Sequence, residues 1–131
     1  MPARTSEHPT EAELEILNIL WRRGPSTVRE VHEILQADRE TRMTTTLKIL
    51  QLMTVKGMTT RSDSRPQLYA AARAEAHTQS GLLNDLARKA FNGSVQKLMI
   101  RAVEEGGMNA EELQAIEKLI SAHRKGKRGD K

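Results

Sequence analysis

The chain contains no cysteine. That excludes a disulfide framework, a thiolate metal site and a cysteine nucleophile. Aromatic residues make up only 2% of it, one each of Trp, Tyr and Phe. All-β folds draw more heavily on aromatic and β-branched side chains, so the core must be Leu, Ile, Met, Val and Ala, the filling of helix–helix packing. No apolar run approaches the roughly 20 residues of a membrane-spanning helix. The opening MPARTSEHPTEAE also lacks the apolar segment of a signal peptide. These absences predict a soluble, cytoplasmic protein without membrane insertion.

Catalytic patterns are missing as well. His8, His32, His77 and His123 lie far apart, and none has the spacing of a metal-binding pair. There is no glycine-rich phosphate loop and no serine in a nucleophile context. Glu11, Glu13 and Glu15, like Glu104 and Glu105, read as solvated helix faces, and His32, beside Glu33, reads as a surface residue. No enzyme, metal site or cofactor is expected.

What the chain does have is charge gathered in one stretch. Its net charge is +4 over 131 residues, which suits one domain, or a small domain with an assembly module. Thr10 to Glu40 holds four Lys/Arg against seven Asp/Glu, a balance of −3. Thr41 to Arg73 holds six (Arg42, Lys48, Lys56, Arg61, Arg65, Arg73) against Asp63 alone, a balance of +5. The distribution, more than the total, points to a polyanionic partner.

Met1 to Pro9, with Arg4, reads as a flexible arm. Thr10 then opens a helix, because Glu13 stands three residues after it in a capping-box pattern. Leu14, Ile16, Leu17, Leu20 and Trp21 supply the apolar stripe, and Gly24-Pro25 ends the helix. Ser26-Thr27 with Glu30 repeats the capping pattern for a second helix whose inner face is Val28, Val31, Ile34 and Leu35. It ends near Gln36 to Asp38, before a polar linker to Thr41. A third helix spans about Met43 to Lys56 and stops at Gly57. At 100° per residue, Thr46, Ile49, Leu50 and Met53 share one face. Thr44, Lys48, Gln51 and Val55 lie opposite, with Thr45 and Leu52 at the edge. Met58–Arg61 and Gln67–Ala70 then read as strands around the turn Ser62-Asp63-Ser64-Arg65-Pro66.

Three helices followed by a hairpin are the winged helix-turn-helix pattern. A Thr/Lys/Gln stripe with no acidic residue suits the bottom of a nucleic-acid groove. Thr44 and Thr45 suit a phosphate or a thymine methyl, Gln51 an adenine, and Lys48 a guanine or a phosphate. Arg61 and Arg65 on the hairpin, and Arg42 and Lys56 flanking the helix, are expected on the backbone, adding affinity more than specificity.

From Glu75 the pattern turns purely helical. Leu82, Leu83, Leu86, Ala87, Ala90 and Phe91 form one stripe, broken at Asn92-Gly93. Ser94 caps a helix carrying Val95, Leu98, Met99, Ala102 and Val103, which ends at Gly106-Gly107. Asn109, with Glu112, caps a last helix carrying Leu113, Ile116, Leu119 and Ile120, and the tail from His123 to Lys131 reads as basic and frayed. Three short amphipathic helices without a sheet bury these faces best by interleaving with a second copy. The expected architecture is mainly α with a small β-hairpin: a winged-helix DNA-binding domain over residues 1–73 and a helical dimerisation domain over 74–131.

The segments TEAELEILNILW, GPSTVREV and MTTTLKILQLMTVKG, then a Tyr and the late FNGS, resemble the penicillinase repressor family (BlaI/MecI type) in order and spacing from Thr10 to Ile120. The resemblance implies a homodimeric winged-helix repressor on a palindromic operator. It also implies release when a membrane-bound sensor with a zinc metalloprotease domain triggers repressor cleavage. This chain has Leu52 where many members carry Arg in the third helix. Its counterpart of the staphylococcal Asn-Phe cleavage pair is Arg101-Ala102. Without cysteine, the copper switch of some relatives is excluded. Two other readings stand beside this one: a winged-helix module that binds protein and no DNA, and a ligand-sensing regulator.

Overall fold

The computed structural model describes residues 8–38 and 40–129. Arg4 and most of the expected N-terminal arm lie outside them, as do Arg39 in the linker and residues 130–131. Six helices and one hairpin follow in order: α1 Glu11–Arg23, α2 Val28–Asp38, α3 Met43–Lys56, β1 Thr59–Arg61, β2 Tyr69–Ala71, α4 Glu75–Ala90, α5 Val95–Glu104 and α6 Ala110–Gly129. The chain divides into two compact units between Asp85 and Leu86, within α4.

Helix starts follow the capping chemistry. The Thr10 side chain accepts from the Glu13 N–H, and the Glu13 carboxylate accepts from the Thr10 N–H. Thr27 and Glu30 repeat this exchange at α2, and Asn109 and Glu112 at α6. Each pair satisfies two backbone donors that a helix start leaves open. The bond from the Thr27 N–H holds the Glu30 carboxyl below its usual range. At the end of α3, Gly57 adopts the left-handed conformation (φ 86°) and its N–H returns to the Met53 and Thr54 carbonyls, a turn that side chains with a Cβ resist.

The core of the first unit joins α1, α2, α3 and β2 through Ile16, Leu17, Ile19, Leu20, Val31, Leu35, Leu50, Met53 and Tyr69. Tyr69 is the one tyrosine of the chain and is fully enclosed. The hairpin pairs Thr59 with Ala71, Thr60 with Ala70 and Arg61 with Tyr69. Ser26 adds a third, single-residue rung: its N–H donates to the Tyr69 carbonyl at 2.9 Å, and the Tyr69 N–H donates back at 2.7 Å. The α1–α2 connection is thereby built into the sheet. Near the end of α1, Trp21, which packs against the same core, donates its Nε1–H to the Arg73 carbonyl at 3.0 Å, anchoring the chain as it leaves β2.

Several expectations are corrected here. Ile34 is 39% exposed, and His32, expected at the surface, is only 8% exposed. The helical wheel explains the exchange: His32 lies 40° from Val28 on α2's inner side, while Ile34 lies 120° away. Ile19, absent from the expected stripe of α1, is buried, whereas Leu14 is only half-buried. Glu13 belongs to no solvated face, since its carboxylate is enclosed and paired with Lys56. The strands begin at Thr59 and Tyr69, later than Met58 and Gln67. Finally, α6 runs to Gly129 instead of fraying at His123. Lys and Arg are good helix formers, and cations such as Arg124 and Lys125 are favourable near a helix C-terminus.

In the second unit, Ala87 is the only buried apolar side chain among the described residues. Phe91, Leu98 and Ile116 are half-buried. Leu86, Val95, Met99, Ile100, Val103, Leu113, Leu119 and Ile120 are exposed.

Candidate nucleic-acid interface

The sequence of α3 separates its two faces. Thr46, Leu50 and Met53 are fully buried, and Ile49 packs on the same core. Thr44, Thr45, Lys48, Gln51, Leu52 and Val55 are all exposed. The helix contains no acidic side chain, so Lys48 has no anionic neighbour within its own helix. At its start, Arg42 is exposed and makes no side-chain cap. First-turn N–H groups and the positive end of the helix dipole at such a terminus favour an anion.

Polar contacts inside the unit hold this helix. His32 Nδ1 lies 2.9 Å from Thr46 Oγ1, a buried bond between α2 and α3. At the other end, Thr54 Oγ1 donates to the Leu50 carbonyl and lies 2.9 Å from Thr59 Oγ1 at the start of β1. The Met58 N–H donates to the Met53 carbonyl, and the Ala72 N–H to the Met58 carbonyl. The wing is therefore hydrogen-bonded directly to the end of α3.

The wing tip is built around Ser62. Its hydroxyl accepts from the Leu68 N–H at 2.8 Å and from the Ser64 N–H, and lies 2.6 Å from Ser64 Oγ. Ser64 Oγ in turn donates to the Pro66 carbonyl. These bonds close the turn and leave Arg61 and Arg65 exposed on it. Neither the serine cluster nor the Ser26 rung was legible in the sequence, where serine marked only a turn or a cap.

Of the basic residues expected to act together, Lys56 is set apart. Its Nζ donates to Glu13 Oε2 at 2.7 Å. Burial pushes the Glu13 carboxyl up, but hydrogen bonds from Lys56 and from the Thr10 N–H, with the Lys56 charge, outweigh it and hold the carboxyl below its ordinary range. Lys56 thus neutralises an internal carboxylate at the far end of α3 from Thr44 and Thr45. A phosphate would have to compete with Glu13 for its ammonium.

The residues expected to dimerise are spread over α4, α5 and α6. Leu83, Leu86, Val95, Met99, Leu113, Leu119 and Ile120 are exposed, and Leu82, Phe91, Leu98 and Ile116 are half-buried. Arg101 and Ala102 lie in the helical interior of α5, both exposed, with Arg101 ion-paired to Glu104 and Glu105. No group of three or more His, Cys, Asp or Glu suited to a metal occurs among the described residues, and no described helix is long and apolar enough to cross a membrane.

Residues 9–122 match the penicillinase repressor family. Over 114 residues the chain is 32% identical to proteins named transcriptional regulator BlaI in two strains of Mycobacterium tuberculosis, covering 85% of this chain and 81% of theirs. A crystal structure of a MarR family transcriptional regulator from Silicibacter pomeroyi DSS aligns over 95% of this chain and 75% of its own, with a TM-score of 0.48 and 19% identity.

Proposed function

The chain belongs to the penicillinase repressor family, and on that premise we propose that it is a transcriptional repressor that reads a palindromic DNA operator as a homodimer. The observation that carries this is the outer face of α3. Thr44, Thr45, Lys48 and Gln51 project together from a helix that is free of acidic residues and anchored on a full core. Placed in the major groove, Lys48 and Gln51 reach base edges, and the threonines meet thymine methyls or phosphate. Arg42 at the helix start and Arg61 and Arg65 on the wing bind the sugar–phosphate backbone on either side. We leave Lys56 out of this set because its ammonium is paired with Glu13.

We assign DNA binding to residues 1–73 and dimerisation to 74–131. The support for a dimer is the exposed apolar surface of the C-terminal helices. Leu86, Val95, Met99, Leu113 and Ile120 are large apolar side chains left exposed on α4, α5 and α6, and apolar surface of this kind marks interaction sites. A two-fold pairing buries each copy's apolar surface against the other and sets two reading helices on half-sites roughly one helical turn apart. The family resemblance further implies release through a membrane-bound sensor metalloprotease. If cleavage falls at Arg101-Ala102, that turn of α5 must unwind first, since its backbone is helical.

A gel shift with the chain's own upstream region tests the reading. At moderate salt it should yield one discrete complex that the same unlabelled DNA displaces and random DNA does not. No complex at any protein concentration would favour instead a winged-helix module for a protein partner.

A further inference from the structure

Two residues on the outer side of α3, Leu52 and Val55, have no polar atom to read with. Leu52 is 49% exposed on the outer side of α3. It continues the row formed by Thr45 and Lys48, three and four residues apart, so a surface that meets Lys48 also meets Leu52. Helical side chains lean toward the N-terminus, which brings Leu52 over the Lys48 turn. From Thr44 to Leu52 the helix rises about 12 Å, close to the width of the major groove. Val55, 83% exposed, lies about one turn further on, at roughly 16 Å from Thr44.

We propose that Leu52 is a specificity-determining residue that selects thymine by packing on its C5-methyl group. The inference rests on the DNA-reading function proposed above. The major-groove floor presents hydrogen-bonding groups at each base pair, and at A·T pairs it also presents the thymine C5-methyl, which protrudes where cytosine has only a C–H. Against any other base edge, an aliphatic side chain strips water from a donor or acceptor and returns no bond. Leu52 therefore favours thymine by attraction and disfavours the alternatives by desolvation.

The test uses the full chain and a random-sequence duplex library. The enriched site is resynthesised with each thymine in turn replaced by deoxyuridine, which deletes only the methyl. One methyl contact is worth about fourfold, so replacing the symmetry-related pair should weaken wild-type binding roughly fifteenfold at one thymine per half-site. At the thymine that Leu52 reads, Leu52→Ala should bind the thymine and deoxyuridine sites equally, while a thymine met by Thr44 or Thr45 keeps its preference in that variant. Leu52→Met should keep the preference, and Val55→Ala should keep it in full. A wild type indifferent to every deoxyuridine, or a Leu52→Ala variant that keeps the wild-type preference at every thymine, would overturn the Leu52 assignment and leave the operator-reading function standing. Enrichment of no site at all would overturn the operator-reading function and this inference with it.

Discussion

Lys56 Nζ lies 2.7 Å from Glu13 Oε2, and this contact ties the end of α3 to the start of α1. Glu13 also closes the cap on Thr10, so one carboxylate serves both the start of α1 and the end of α3. Lys56→Met leaves an enclosed carboxylate without its cation. Because Lys56 is about a third exposed, solvent screens the pair, and we expect a loss of about 1–2 kcal/mol, below the range for a fully buried pair. Chemical denaturation checks it. With the Lys56 ammonium held by Glu13, the slope of log affinity against log salt should not change in this variant, and a shallower slope would return Lys56 to the proposed DNA contacts.

The same pair makes stability depend on pH. A carboxyl held below its ordinary value contributes stability that is present above the unfolded pKa and is lost as pH falls through the folded one. Burial opposes this for Glu13, but the bonds from Lys56 and Thr10 prevail. The stability difference between wild type and Glu13→Gln should hold from neutral pH to about pH 5 and shrink below about pH 4. Denaturation midpoints across that range would show it. A difference that grows on acidification would contradict the assigned direction.

The bond between His32 Nδ1 and Thr46 Oγ1 is buried between α2 and α3. Thr46→Val keeps the shape and removes the partner, leaving a ring nitrogen enclosed without a hydrogen bond. The expected cost is about 1–3 kcal/mol, read as a lowered melting temperature with the helical circular dichroism retained.

Lys48→Ala and Gln51→Ala should weaken binding to the selected operator more than to random DNA, since base edges carry the discrimination. Competition gel shifts separate the two. An equal loss on both would end their base-reading role.

Arg61→Ala with Arg65→Ala should lower affinity for all sequences and reduce the salt slope by about two, one for each released phosphate contact. Titrations at several salt concentrations measure it. An unchanged slope would take the wing off the DNA.

Leu86→Asp places a charge in the proposed dimer face at a site already exposed in the single chain, so the fold itself should survive. Sedimentation should give monomers, with much weaker operator binding. A variant that stays dimeric would relocate the interface.

Much of this molecule was written locally. The starts of α1, α2, α5 and α6 lie at Thr10, Thr27, Ser94 and Asn109, and the end of α3 at Gly57. Those choices rest on bonds spanning three or four residues, which a linear reading contains. The two faces of α3 followed from its period alone, because a helix turns by a constant angle. Contacts between distant positions were decided only by the tertiary structure. Glu13 and Lys56 are 43 residues apart, His32 and Thr46 are 14 apart, and the Ser26 rung meets Tyr69 across the whole of α2 and α3. Read singly, a glutamate, a histidine and a serine are each polar and default to the surface. Enclosure is tolerable for them only because the fold supplies a matching partner to each, and that partner is a property of how α1, α2, α3 and the wing come together.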